Sequence, residues 1–142
     1  MELLLLVVVL AVGVAGIVTV YVNTVVGSAD PLVRKQAMAI AESLMDEIML
    51  QQFSLAPVTA PGATRDTFDE ISDYNGYSTT GGIKNIYGAA VPGLTGYDIS
   101  AVSVAGAALN DVGAADSARV TVSVTAPGGT VITLEGYKLK YP

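Results

Sequence analysis

Leu3-Leu4-Leu5-Leu6-Val7-Val8-Val9-Leu10-Ala11-Val12-Gly13-Val14-Ala15-Gly16-Ile17-Val18-Thr19-Val20-Tyr21-Val22 decides how the chain is to be read. No charge interrupts it, and its only polar groups are the Thr19 hydroxyl and the Tyr21 phenol. At ~1.5 Å per residue this run makes ~30 Å of helix, the thickness of a bilayer's hydrocarbon core. A secretory signal peptide would need a basic start, a shorter apolar core and a small-residue cleavage site. Met1-Glu2 is acidic and no clean site follows, so the run reads as an uncleaved anchor or packing helix. Gly13 and Gly16 are its weak points, because a helix-interior glycine costs about 1 kcal/mol relative to alanine. Those two glycines either allow close helix–helix approach or mark a place where the helix unwinds.

Composition narrows the function classes. The 142 residues carry 7 basic and 13 acidic side chains, a net charge of −6, which argues against a nucleic-acid binder. His and Cys are both 0, excluding disulfides, imidazole or thiolate metal sites and His or Cys catalysis. No phosphate-cradling glycine loop and no nucleophile elbow occurs, so no enzyme is expected.

Gly27-Ser28-Ala29-Asp30-Pro31 interrupts the apolar run. Asp30 suits an N-cap and Pro31 a first helical position, which predicts a kink or restart at Gly27 and Pro31. The helix then continues to about Phe53. Val33, Ala37, Ile40, Leu44 and Ile48 recur at helical spacing and form one apolar stripe, which predicts packing against a sheet. Arg34, Lys35, Glu42, Asp46 and Glu47 lie off the stripe, and Met38, Met45 and Met49 widen it. The domain reading is residues 1–26 as an apolar transmembrane or filament-core helix, 27–53 as an amphipathic helix on the head, and 54–142 as loops and an antiparallel sheet.

Glu2 beside an apolar helix is costly if buried unpaired. It either snorkels to water or pairs with an N-terminal amine, that of Met1, on a neighbouring copy, since no Lys or Arg precedes Arg34. The second arrangement is a staggered, heterologous contact that propagates into a helical filament.

Glu2 through Ala11 resembles the start of a mature type IV pilin or pseudopilin, where a Phe-Thr-Leu-Ile-Glu sequence opens a long apolar helix. The residues before the glutamate and the basic leader are absent here, which reads as a start assigned too late or a truncated record, with a true mature Met1-Glu2 terminus as the alternative. Ala29 to Leu32, Glu42 to Ile48 and Arg65 to Gly76 narrow the resemblance to the minor pilins of the mannose-sensitive haemagglutinin pilus. It covers about residues 1–77 and is weak beyond. It implies an α+β, type IV pilin-like architecture, with a long bent N-terminal helix and a C-terminal antiparallel head. It also implies a pilus subunit that rests in the bacterial inner membrane and then joins an extracellular filament with itself and other pilins, for cell adhesion or secretion, with a methylated N-terminus. The alternatives are a membrane-tethered periplasmic binding module and a secretion-system pseudopilin.

Residues 54–64, with Pro57, Pro61 and Gly62, read as an irregular connection. Next, Asp66, Asp69, Glu70 and Asp73 oppose Arg65 alone. Such a cluster must be solvated, cation-bound or docked on a basic surface. Docking on an adjacent subunit near Lys84, Lys138 or Lys140 is the expectation, and calcium is the rival. Asp73-Tyr74-Asn75-Gly76 is a fragment of an EF-hand loop, without the further acid and bidentate glutamate that the loop requires. No metal or other cofactor is expected otherwise.

Residues 79–96 read as a Gly-rich loop. Tyr97 to Val104 reads as a strand with a parity change near Ala101, and Val120, Val122 and Val124 alternate as a half-buried strand. Pro127-Gly128-Gly129 is a turn. In the last strand Ile132 and Leu134 share a face, then Tyr137, Leu139 and Tyr141, which predicts a bulge at Gly136.

Overall fold

The chain is described by a computed structural model over residues 2–56 and 64–141. Its elements are α1 (Glu2–Leu50), 3-10 turns at Arg65–Thr67 and Ile71–Tyr74, and strands β1 (Asp98–Gly106), β2 (Ser117–Thr125) and β3 (Val131–Leu139). The chain divides into two compact units, Met1–Val33 and Arg34–Pro142.

The expected type IV pilin-like architecture is overturned. The body that the contacts define begins at Arg34: the final stretch of α1, the two 3-10 turns and one three-stranded antiparallel sheet. Among the described residues no helix is long and apolar enough to cross a membrane. A helix is a local structure, closed by hydrogen bonds four residues apart. An apolar run therefore specifies helical backbone from Glu2 onward without specifying what that helix packs against. Helical backbone also runs unbroken through Gly27 and Pro31, so the helix does not restart at an Asp30 cap. Pro31 has no N–H to give the Gly27 carbonyl, leaving one turn of α1 without its i→i−4 bond. The helix stops at Leu50, short of the expected Phe53, because Gln52 leaves to pair with Glu70 in an isolated parallel bridge.

Within the body, α1 buries Ala37, Ala41, Leu44, Met45 and Ile48, spaced by four, three, one and three residues as one helical face requires. Val33 and Ile40, expected on the same stripe, are half-buried, so the buried face is turned toward Ala41 and Met45. The sheet supplies the opposite wall. In β2, Ala118, Val120, Val122 and Val124 are buried while Arg119 is exposed, the strict alternation of a one-sided strand. From β1 come Ile99 and Val102, whose spacing of three reflects a register shift between Ile99 and Ala101. That is the parity change expected near Ala101.

No bulge occurs at Gly136. The β2–β3 register runs without a slip from Ser117↔Leu139 to Thr125↔Val131. Ile132, Leu134, Gly136 and Lys138 all lie on the half-buried side, and Val131, Thr133, Glu135, Tyr137 and Leu139 on the exposed side. The glycine is there for room: a Cβ on Gly136 would stand 2.7 Å from Met49 Cε and 3.3 Å from Met45 Sδ. Lys138 looks misplaced among apolar neighbours until its ammonium is followed. Its Nζ donates to the Met49 carbonyl at 2.7 Å and also to the Gln51 carbonyl. The last turn of α1 contains no basic residue of its own, so a lysine from β3 supplies the positive charge that a helix C-terminus favours. Burial pushes the Lys138 amine below its usual range.

Ile48 is fully buried and Leu50, two residues on, is 86% exposed. Ile48→Ala should destabilise the body by about 2–5 kcal/mol through lost burial and a residual cavity. Leu50→Ala should stay within about 0.5 kcal/mol of the parent. Chemical denaturation of the full-length chain in detergent, followed by far-UV circular dichroism, measures both; equal effects would contradict this core.

Candidate functional site

The acidic segment opens on a cation, Arg65, of which 9% of the side chain remains exposed. Its Nη1 donates to Glu47 Oε2, forming an ion pair with α1, and its Nη2 donates to the Lys84 carbonyl at 2.7 Å. The guanidinium carbon lies 5.5 Å from the centroid of the Tyr77 ring. Glu47 is shared, because the Tyr74 hydroxyl donates to its Oε1 at 2.9 Å. Tyr74 is fully buried, and Phe68 meets it edge-on with ring centroids 4.9 Å apart. Burial, followed by the adjacent Glu47 carboxylate, holds the Tyr74 proton on well beyond the usual phenol range. One arginine and one tyrosine thus fasten residues 65–77 to α1 at Glu47.

The four acids separate into two kinds. Asp66 and Asp69 are exposed, and Asp66 Oδ1 accepts the Thr64 hydroxyl. Glu70 and Asp73 are half-buried and form a reciprocal capping box on the Ile71–Tyr74 turn. Asp73 Oδ2 accepts the backbone N–H groups of Asp69 at 3.3 Å and Glu70 at 3.2 Å. Asn75 Oδ1 accepts the Val104 N–H at 3.0 Å. The EF-hand-like fragment therefore turns these oxygens onto backbone N–H groups of the residues just before it and of β1. Among the described residues no group of three acidic ligands could hold a metal ion. The docking lysines also divide: Lys138 is engaged with α1, Lys140 stands 3.8 Å from Asp116, and Lys84 is exposed.

Beside this network lies a cavity of about 520 Å³. Its apolar lining includes Ile40, Leu44, Ile83 and Leu94, and Glu47, Arg65 and Lys84 supply its charged one. Among the described residues the buried side-chain atoms Arg65 Nε and Glu70 Oε2 lack a hydrogen-bond partner. The arrangement suits anchoring and binding. An arginine neutralised by a glutamate offers no nucleophile, and its other contacts are to a carbonyl and an aromatic ring.

The residues expected to direct assembly are described only in part. Met1 and the Glu2 side chain lie outside the described residues, as do Pro57, Pro61 and Gly62. Gly13, Gly16 and Gly27 have helical backbone, and Pro31 is helical and exposed. In the first unit Leu6, Val7, Val8, Val9, Leu10, Val14 and Ile17 are apolar and 55–71% exposed. Sequence reasoning missed Glu47, Tyr74 and Lys138 as structural anchors. Glu47 borders the apolar stripe beside Ile48, and Lys138 keeps the inward parity of Ile132 and Leu134. Those were the available signals. In comparisons with family models, curated proteins and solved structures, nothing matches this chain.

Tyr74 gives the body an alkaline liability. Unfolded, its phenol ionises near pH 10; folded, it stays protonated at higher pH. The native state then binds more protons than the unfolded state, so stability present below about pH 10 is lost as pH rises past it. Tyr74→Phe should cost about 1.5–3 kcal/mol at neutral pH through the lost bond to Glu47. The same substitution should flatten the decline above pH 10. Urea midpoints of parent and variant between pH 7 and 11 test the attribution, and parallel curves would reject it.

Proposed function

We propose that this chain is a structural subunit of a pilus-like extracellular filament, held in the bacterial inner membrane before assembly and joined to copies of itself or to other pilins through its N-terminal helix. The observation that carries the reading is the open apolar surface from Leu6 to Ile17, where seven large side chains are 55–71% exposed on one helix. An apolar helix surface of that extent lies in lipid or against other helices. The resemblance of Glu2–Ala11 to pilin N-termini supports the second environment, and Glu2 supplies the means of specifying it. A carboxylate among apolar helices is tolerated only with a cation beside it, and an N-terminal amine of a neighbouring subunit would supply the required charge.

The cavity beside Arg65 favours one other reading, a membrane-tethered periplasmic binding module. Electron microscopy of the native cell surface separates the two: filaments that contain the chain support assembly, and a chain recovered only as detergent-extracted monomers or dimers supports tethering.

Glu2→Ala should remove a pairing whose loss typically costs about 3–5 kcal/mol per subunit. Filament yield should collapse while the unfolding transition of residues 34–142 stays where it was, because the substitution lies in the other unit. Filaments of normal yield from this variant would defeat the proposal.

A further inference from the structure

The sheet has one edge closed and one edge open. Along the outer side of β1, residues 75–79 run as a cover. Gly76 N–H reaches the Val102 carbonyl at 2.9 Å, Val102 N–H the Tyr77 carbonyl at 3.0 Å, and Thr79 N–H the Ile99 carbonyl at 2.9 Å. The Asn75 side chain takes the Val104 N–H at 3.0 Å. At the opposite end of the strand order, β3 has β2 on one side and no strand on the other among the described residues.

Which backbone groups of β3 are open follows from the register. Lys140 N–H bonds to the Asp116 carbonyl and Ala126 N–H to the Thr130 carbonyl, each at 2.8 Å, in the same frame as the β2–β3 ladder. Hydrogen-bonded pairs alternate along an antiparallel ladder. Even-numbered residues of β3 therefore bond to β2, while Val131, Thr133, Glu135, Tyr137 and Leu139 turn their N–H and C=O groups outward. Val131 is 54% exposed, Tyr137 45% and Leu139 42%. Natural edge strands are usually short or protected by a bulge, a proline or a charge that discourages pairing. Val131–Leu139 has nine residues, no proline and no register slip. Its lysine points inward onto α1, which leaves Glu135 as the one outward charge within the strand.

We infer that β3 is an interface to a second copy of this chain, formed by antiparallel β3–β3 pairing about a two-fold axis at Gly136. Two observations favour a second copy as the occupant. Since β1 is covered, strand pairing between copies brings β3 to β3, and the contact is isologous. Charge then selects the register. Outward residues pair with outward residues, and centring the axis on Glu135 would set that carboxylate against its own copy, which destabilises. Centring it on Gly136 sets Glu135 opposite Tyr137, Thr133 opposite Leu139 and Val131 opposite Tyr141 of the second copy. The closest approach then falls on two glycines. An isologous contact closes on itself, so it joins two heads without elongating a filament, and it stands independently of the function proposed above.

The chain contains no cysteine, so a nitroxide on one introduced cysteine reports on one position. The full-length chain in detergent micelles is labelled singly at Val131→Cys, Thr133→Cys, Glu135→Cys or Leu139→Cys. Dipolar spectroscopy then reads backbone separations between copies, after allowance for the label arms. The two-fold at Gly136 requires strong short-range broadening at 135, equal separations of about 20 Å at 133 and 139, and about 33 Å at 131. Thr133→Pro removes one outward N–H and no backbone bond to β2, losing there only the exposed Thr133 Oγ1–Ser123 Oγ hydrogen bond at 3.1 Å, so it should abolish these dipolar signals while a cooperative unfolding transition is retained. Absent signals in the labelled parent, a minimum elsewhere than beside residue 136, or signals that survive Thr133→Pro in a folded chain would each overturn the interface. Glu2→Ala should leave the separations unchanged, which distinguishes this contact from assembly through the N-terminal helix.

Discussion

The bond from Lys138 to the end of α1 organises the body. A helix terminus leaves carbonyls without internal partners and carries a partial negative charge. Here a single ammonium from β3 accepts that role, reaching the Met49 and Gln51 carbonyls across the interface between helix and sheet. The bond fixes which side of β3 faces α1, and with it the parity of Ile132 and Leu134. The helix comes close enough there for Met45 and Met49 to lie over Gly136. The Arg65–Glu47 pair performs a second attachment along the same helix, and Tyr97, whose hydroxyl donates to Gln36 Oε1 at 2.8 Å, a third.

These three attachments also mark the boundary between what the sequence disclosed and what it did not. Apolar periodicity located the buried parts of α1 through Ala37, Leu44 and Ile48, and alternation located β2 through Val120, Val122 and Val124. Both patterns are short-range: a stripe repeats every three to four residues and a strand every two. The small errors have the same cause. Val33 and Ile40 are half-buried because the centre of the stripe is set by the opposing sheet, whose position no helical period contains. Lys138 imitated a parity switch because a charged residue at an inward position is legible only once its distant partner is known.

The larger error was of architecture. Continuous apolar sequence was extrapolated into a pilin-like whole, although the packed body starts at Arg34 and its contacts come from the sheet and loops. The acidic segment was legible only as a charge count, for a related reason. Counting charges treats Asp66, Asp69, Glu70 and Asp73 as equivalent, yet two of them close a 3-10 turn and two face solvent. The arginine before them is more than a lone counter-charge: its pairing with Glu47, eighteen positions away, attaches the segment to α1. Hydrogen bonds between residues that far apart leave no trace in local pattern.

The succession of contacts along α1 has a mechanical meaning. A pull delivered through residues 1–33 enters the body at Arg34 and loads the helix from that end. It meets the Gln36–Tyr97 bond first, then the side chains of Ala37, Ala41 and Leu44, and only afterwards the Glu47–Arg65 pair, Ile48 and the Lys138 clamp. The charged fastenings come last in that order, so the part of α1 next to Arg34 is held by one neutral hydrogen bond and apolar packing, while its final turn is held by ionic contacts from the acidic segment and from β3.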